Sequence, residues 1–223
     1  MSPTAINLRA ARSVFRSPTS PRSSRRCSLT TIWRSSFALL AAALLAACQP
    51  AGPKFKSTDL TGADYGKSLA LTGHDGQPRT LADFRGKLVV LTFGFTHCPD
   101  ICPTILADLA GVMQSLGKDA DRVQVLFVTV DPERDTPELL AKYVAAFDPR
   151  FLGMYGNAEA TARTAKEFKV FYEKRKSGDS YSVDHSAQSY VLDAQGRLRL
   201  FVRHDRIAAD LADDLRALLG ETG

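Results

Sequence analysis

"FTHCPDICPT", residues 95–104, is the stretch on which the fold of this chain turns. It sets Cys98 and Cys102 four residues apart, with a proline after each. Upstream, "KLVVLTFGF", Lys87 to Phe95, is β-branched and aromatic with little polarity, the pattern of a strand buried on both faces. Downstream, "TILADLAGVMQSLG" repeats apolar residues at three- and four-residue spacing and stops at Gly117, which predicts a helix. Proline fits the first helical position, so Pro103 is expected there, with Cys102 as the cap and Cys98 in the loop before it. Free N–H groups and the positive end of the helix dipole would then face the sulfurs and favour thiolates. Cα atoms four residues apart in a turn lie about 6 Å from each other, within the span of a disulfide. Two thiolates on one metal ion need sulfurs about 4 Å apart, which the same turn provides. On spacing alone, a redox pair, a metal site and a structural disulfide all stay open.

The pattern continues on both sides. "GHDGQPRT", Gly73 to Thr80, has the composition of a turn, and "RVQVLFVTV", Arg122 to Val130, predicts a second buried strand. Helices are expected over Thr136–Phe147, with a cap-like Thr136 and Pro137 in the first turn, and over Asn157–Phe168. "KVFYEKRKSG" reads as a strand running into a turn at Gly178. "AQSYVLDAQGRLRLFVRH" reads as a hairpin turning at Asp193–Gly196, followed by a closing amphipathic helix, "IAADLADDLRALLG". Strand–helix–strand units demand a parallel pair, and the hairpin adds antiparallel strands. The expected fold class is α/β: a thioredoxin-like fold with a mixed central sheet flanked by helices. The cysteines fall at the C-terminal end of the first central strand, where open α/β sheets bind ligands.

Two departures from thioredoxins narrow the chemistry. Redox thioredoxins carry C-x-x-C, and here the loop is one residue longer. In that fold the residue before the late strand faces the cysteines and is a cis-proline. "DHSAQSYVLD", Asp184 to Asp193, contains no proline and offers His185. Two thiolates and one imidazole form a soft, three-ligand set suited to copper, Cu(I) in particular.

Charge and cysteine usage point to export. Residues 1–47 hold seven arginines and no acidic residue, and residues 48–223 carry 22 basic against 24 acidic residues, a net of −2. The domain therefore gives no charge argument for nucleic acid. "FALLAAALLAA", Phe37 to Ala47, would span ~16 Å as a helix, against ~30 Å of hydrocarbon core, which suits a signal-peptide core and not a membrane span. It ends in "LAAC", which resembles a lipobox with Cys48 as the lipidated residue; an ordinary Ala-rich cleavage site is the plainer alternative. "SRRCSLT" resembles a twin-arginine signal but lacks its usual phenylalanine. The expected organisation is a signal peptide over 1–47, a tether over 48–57 and a domain over 58–223. Lipidation would leave Cys98 and Cys102 as the only thiols of a domain facing the periplasm, bonded to each other or to a metal.

Three blocks, "FGFTHCPDICPT", "VTVDPERDTPE" and "VDHSAQSYVLD", resemble the signatures of the Sco/SenC family of thioredoxin-fold copper proteins. The resemblance spans about Gly66 to Leu219. It implies that Cys98, Cys102 and His185 bind one copper, as Cu(I) or Cu(II), and that Asp131 is an acidic residue near the site. It also implies delivery of copper to the CuA-bearing subunit of cytochrome c oxidase. Other copper chaperones or thioredoxin-like reductants of the periplasm would be further partners. The alternative function is a thiol–disulfide oxidoreductase that keeps the CuA cysteines reduced. A peroxiredoxin-like peroxidase is disfavoured, because no Arg and Thr or Ser block surrounds Cys98. His97 is expected to support the site without ligating, and His74 and His204 to be exposed. Asp131 could equally fix the turn before Pro132, and the charges of "DPERD" could be a solvated loop.

Overall fold

The computed structural model describes residues 53–221. The expected signal peptide, the lipidation of Cys48 and the first residues of the tether lie outside them. The end of the expected tether is docked on the domain. The Lys56 and Ser57 N–H groups donate to the Asp214 carboxylate at 2.7 and 2.9 Å. The Phe55 ring lies 5.6 Å from the Arg199 guanidinium.

Among the described residues the chain forms ten strands and four α-helices. The strands are β1 (Thr58–Asp59), β2 (Ala70–Gly73), β3 (Pro78–Thr80), β4 (Leu88–Gly94), β5 (Val123–Thr129), β6 (Leu152–Tyr155), β7 (Tyr172–Ser177), β8 (Ser180–His185), β9 (Ser189–Leu192) and β10 (Leu198–Val202). The helices are α1 (Ile101–Leu116), α2 (Pro137–Ala145), α3 (Ala158–Glu167) and α4 (Ile207–Glu221). Eight strands form one mixed sheet in the order β1-β10-β9-β4-β5-β6-β2-β3, with β4, β5 and β6 parallel. β7 and β8 form a separate two-stranded sheet.

β4 and β5 sit at the centre because their residues can be buried on both faces. All seven residues of β4 are buried, as are six of the seven of β5. On one face Leu88, Val90, Val125 and Phe127 meet α1, α4 and the buried side of α2. On the other, Val89, Leu91, Phe93, Leu126 and Val128 meet Phe168 and Ala165 at the end of α3. α1 buries Cys102, Ile105, Leu106, Leu109, Val112, Met113 and Leu116, a stripe at three- and four-residue spacing. Each large apolar side chain there is worth about 1.5–3 kcal/mol, so Leu106→Ala would cost about 2–5 kcal/mol. α1 ends at Gly117, whose φ of 58° a side chain would disfavour.

The helix caps follow the sequence. Thr136 accepts from the Leu139 N–H at 3.2 Å, and Asn157 accepts from the Ala160 N–H at 2.8 Å. One boundary differs: α1 begins at Ile101 with Asp100 as its cap residue, so Pro103 stands third and Cys102 second. All of the first turn's N–H groups lack intrahelical partners, so proline is tolerated there as it is at the first position. The short strands β1, β2, β3 and β6 were not apparent in the sequence. β2 and β3 flank the expected Gly73–Thr80 turn, and β6 carries only four residues.

Candidate metal centre

The site is built where β4 ends and α1 begins. β4 delivers Gly94, Phe95 follows it, and the chain turns through Thr96 and His97 to Cys98. The Cys98 N–H returns to the Phe95 carbonyl at 3.2 Å. Cys102, in the first turn of α1, donates its backbone N–H to Cys98 Sγ at 3.4 Å. Cys102 is 2% exposed, and Cys98 is half-buried. A β-carbon added at Gly94 would lie 2.7 Å from Cys102 Sγ and 2.7 Å from the Phe127 ring, so only glycine admits the sulfur.

A buried acid missed in the sequence braces this loop. Asp135, 1% exposed, accepts from the Thr96 hydroxyl and the Thr129 hydroxyl at 2.6 Å each. It also accepts from the Thr96 N–H at 3.1 Å. His97 is exposed, with Nδ1 3.1 Å from the Thr96 hydroxyl, and it is not among the clustered ligand atoms. His204 is exposed as expected. His74 departs from expectation: it is half-buried, and its Nδ1 accepts from the Gly153 N–H at 3.0 Å, tying the β2–β3 turn to β6.

His185 arrives from the other side. It is the last residue of β8, with three residues between it and β9, so the late strand itself does not carry it. The sequence signalled a strand and a turn at Gly178, and the partner strand β8 completes a hairpin there. His185 Nδ1 lies 2.9 Å from the Ser186 carbonyl oxygen, which can only accept, so Nδ1 carries the proton. That leaves the Nε2 lone pair aimed at Cys102 Sγ, 3.3 Å away. The ring stands edge-on to Phe95 at 5.8 Å. Ser186 is itself fixed: its hydroxyl accepts from the Phe171 N–H at 3.0 Å, and its N–H donates to the Phe171 carbonyl at 2.9 Å.

Asp131 does not join the cluster of ligand atoms. It is fully buried, which overturns the reading of "DPERD" as a solvated loop. Its carboxylate accepts from the Arg134 guanidinium and, at 2.8 Å, from the Tyr181 hydroxyl on β8. Arg134 also donates to the Tyr181 carbonyl at 2.9 Å and lies 3.8 Å from the Tyr181 ring centre. Charges inside a protein persist only when paired, and this pairing clamps the His185 hairpin to the loop after β5.

Cys98 Sγ, Cys102 Sγ and a ring nitrogen of His185 all lie within 4.8 Å of one another, the one such group among the described residues. The two thiols differ sharply. Cys98 is pulled down to about 3, first by the hydrogen bond from Cys102 and then by the N–H groups at the start of the helix, against the opposing effect of burial. Cys102 is pushed up, because it holds the shared proton, is buried and faces the Cys98 charge. At neutral pH the pair is therefore one thiolate and one thiol. Three atoms so placed can close on a single ion with bonds of about 2.0–2.3 Å.

A mixed α/β sheet ending in two thiols and an imidazole defines a thioredoxin-like protein with a soft ligand cluster. Residues 57–220 match the SCO1/SenC family model, and the chain belongs to that family. It is 41% identical over 152 residues to the mitochondrial SCO2 homologue of Mus musculus, covering 66% of this chain and 60% of that one. Among solved structures it is similar to copper-bound ScoI of Bradyrhizobium japonicum, with 36% identity and a TM-score of 0.65 over 69% of this chain and 99% of that one. It is also similar to apo Sco1 of Thermus thermophilus, with 42% identity and a TM-score of 0.66 over 74% and 97%. The chain thus spans about 60% of the length of the mitochondrial relative it matches.

Proposed function

We propose that this protein is a copper chaperone for cytochrome c oxidase assembly. Cys98, Cys102 and His185 bind one copper ion as cargo, and the recipient is the CuA-bearing subunit. The observation that carries the reading is the convergence of the ligand atoms: His185 Nδ1 is held by the Ser186 carbonyl, its Nε2 lies 3.3 Å from Cys102 Sγ, and both sulfurs and a ring nitrogen fall within 4.8 Å of one another. Copper-bound relatives support it. Cys98 is already a thiolate, so loading needs only the proton of Cys102 to leave. Sulfur-for-sulfur exchange then passes the ion to the thiols of the recipient. The leader belongs to the same proposal: export, cleavage before Cys48, lipidation of that residue, and a domain held at a membrane facing the periplasm. A membrane-fraction chain beginning at an acylated Cys48 is the mass-spectrometric result expected.

The low Cys98 thiol also favours a second reading, a thiol–disulfide reductase of the CuA cysteines. His185→Ala separates the two. It keeps both thiols and removes the nitrogen ligand, so the chaperone reading expects loss of tight copper binding and of oxidase activity under limiting copper. The Cys98–Cys102 disulfide of that variant should still form and be reduced. Normal oxidase activity in a folded His185→Ala strain at limiting copper would replace the chaperone reading with the reductase one.

A further inference from the structure

Beneath α1, side chains on one face of the sheet form rungs across β9, β4 and β5. Val191, Val90 and Val125 make an apolar rung. The next rung toward the site is Ser189, Thr92 and Phe127. Beyond it Gly94 stands opposite Thr129, and Cys102 Sγ rests over Gly94. Thr92 is 1% exposed and Ser189 fully buried, yet neither hydroxyl has a hydrogen-bond partner among the described residues. Tyr143, whose ring lies 5.6 Å from that of Phe127, brings a third buried hydroxyl without a partner. Of seven such atoms among the described residues, three gather here, which argues against scattered packing defects.

The spacing is that of a hydrated seat. Directly opposed residues on neighbouring strands have Cβ atoms about 5 Å apart, so two facing hydroxyls can share one water. Residues two apart on a strand are ~6.6 Å apart at Cα, and two hydrogen bonds through a bent water span about 5 Å, so side chains leaning toward each other bring one water within reach of both. Burial, and then the negative charge of the cysteine pair, hold the Tyr143 phenol well above its ordinary range, so it stays a donor. A thiol sulfur keeps both donor and acceptor capacity, whereas a disulfide sulfur is only a weak acceptor, so the reduced sulfur gains more from a neighbouring water.

We infer that Thr92 and Ser189 seat a buried water that hydrogen-bonds the Cys102 sulfur, with the Tyr143 hydroxyl closing the seat, and that this favours the reduced pair over the disulfide. The inference concerns the thiols alone, so it stands or falls apart from the copper reading.

The test is the equilibrium of the full chain with glutathione: the Cys98–Cys102 disulfide plus two glutathione thiols gives the dithiol plus glutathione disulfide. Thr92→Val and Ser189→Ala should each move it about threefold toward the disulfide, and the double variant about tenfold. Tyr143→Phe should shift it the same way by less. Thr92→Ser retains the hydroxyl and should stay within about twofold of the parent, which separates hydrogen bonding from packing. An equilibrium unchanged in Ser189→Ala and in the double variant overturns the inference. A melting temperature raised in both redox states would then identify the hydroxyls as dry and unpaired. Should the double variant fail to fold, the single changes decide by the same criterion.

Discussion

Cys98 and Cys102 sit where a loop enters α1, braced directly against the main sheet, whereas His185 comes from a hairpin that pairs only with itself. Each half relies on one buried aspartate. Asp135 ties the cysteine loop to β5 through Thr96 and Thr129. Asp131 ties the hairpin to the loop after β5 through Arg134 and Tyr181. The first clamp lies within the sheet's own framework and the second bridges two separate sheets. The cysteine loop should therefore fail together with the fold, and the hairpin should loosen before it.

Asp135→Ala gives the sharpest break. It strands three donors that the carboxylate serves, so a loss of about 3–4 kcal/mol is expected, read as a lower urea midpoint with an unchanged slope. A loss below 1 kcal/mol would show that the loop does not depend on this acid. Asp131→Ala should cost less, about 2–3 kcal/mol, because Arg134 stays near the Tyr181 ring and carbonyl. Amide exchange should then speed up in β7 and β8 before it does in β4. Uniform acceleration would erase the contrast between the two halves.

The thiols sharpen it from the chemical side. With Cys98 held at about 3, it is fully ionised at pH 5, where an ordinary thiol is ionised about 10³-fold less. Lower basicity returns most of that gain, so iodoacetamide should alkylate Cys98 about tenfold faster than free cysteine at pH 5. The rate should stay flat up to pH 8, with Cys102 untouched. A rate that rises tenfold per unit over this range would refute the assignment. The linkage has a definite sign. A depressed thiol contributes stability that is fully present above the unfolded value of ~8.5 and is lost as pH falls toward about 3. The smallest effect is Tyr181→Phe, which removes one hydrogen bond and keeps the ring under Arg134, for about 1 kcal/mol confined to the hairpin.

The same contrast explains what the sequence disclosed. β4, β5 and α1 were legible because long apolar runs and three-to-four spacing are local signals. The cysteine pair was legible because both members lie on one turn. His185 was placed beside them through the family resemblance and its position before β9, since nothing local brings residues 98 and 185 together. Asp135 was missed because an acid among charges looks solvated until its partners are known. Those partners, Thr96 and Thr129, lie 39 and 6 residues away. Asp131 was noticed, yet its work of holding the hairpin through Tyr181, 50 residues on, required the structure. β8 was passed over although Tyr181 and Val183 alternate with polar residues, because two apolar positions are too few to tell a strand from a loop.

Gly94 has no positive φ, so its glycine is not required by a turn. What requires it is clearance: the Cys102 sulfur and the Phe127 ring occupy the space a methyl would fill. The height of that sulfur above the sheet is thus set by main chain within a parallel strand pair rather than by a rotamer. The strand serves as a fixed datum, like the bed of a measuring instrument, against which the position of His185 is registered.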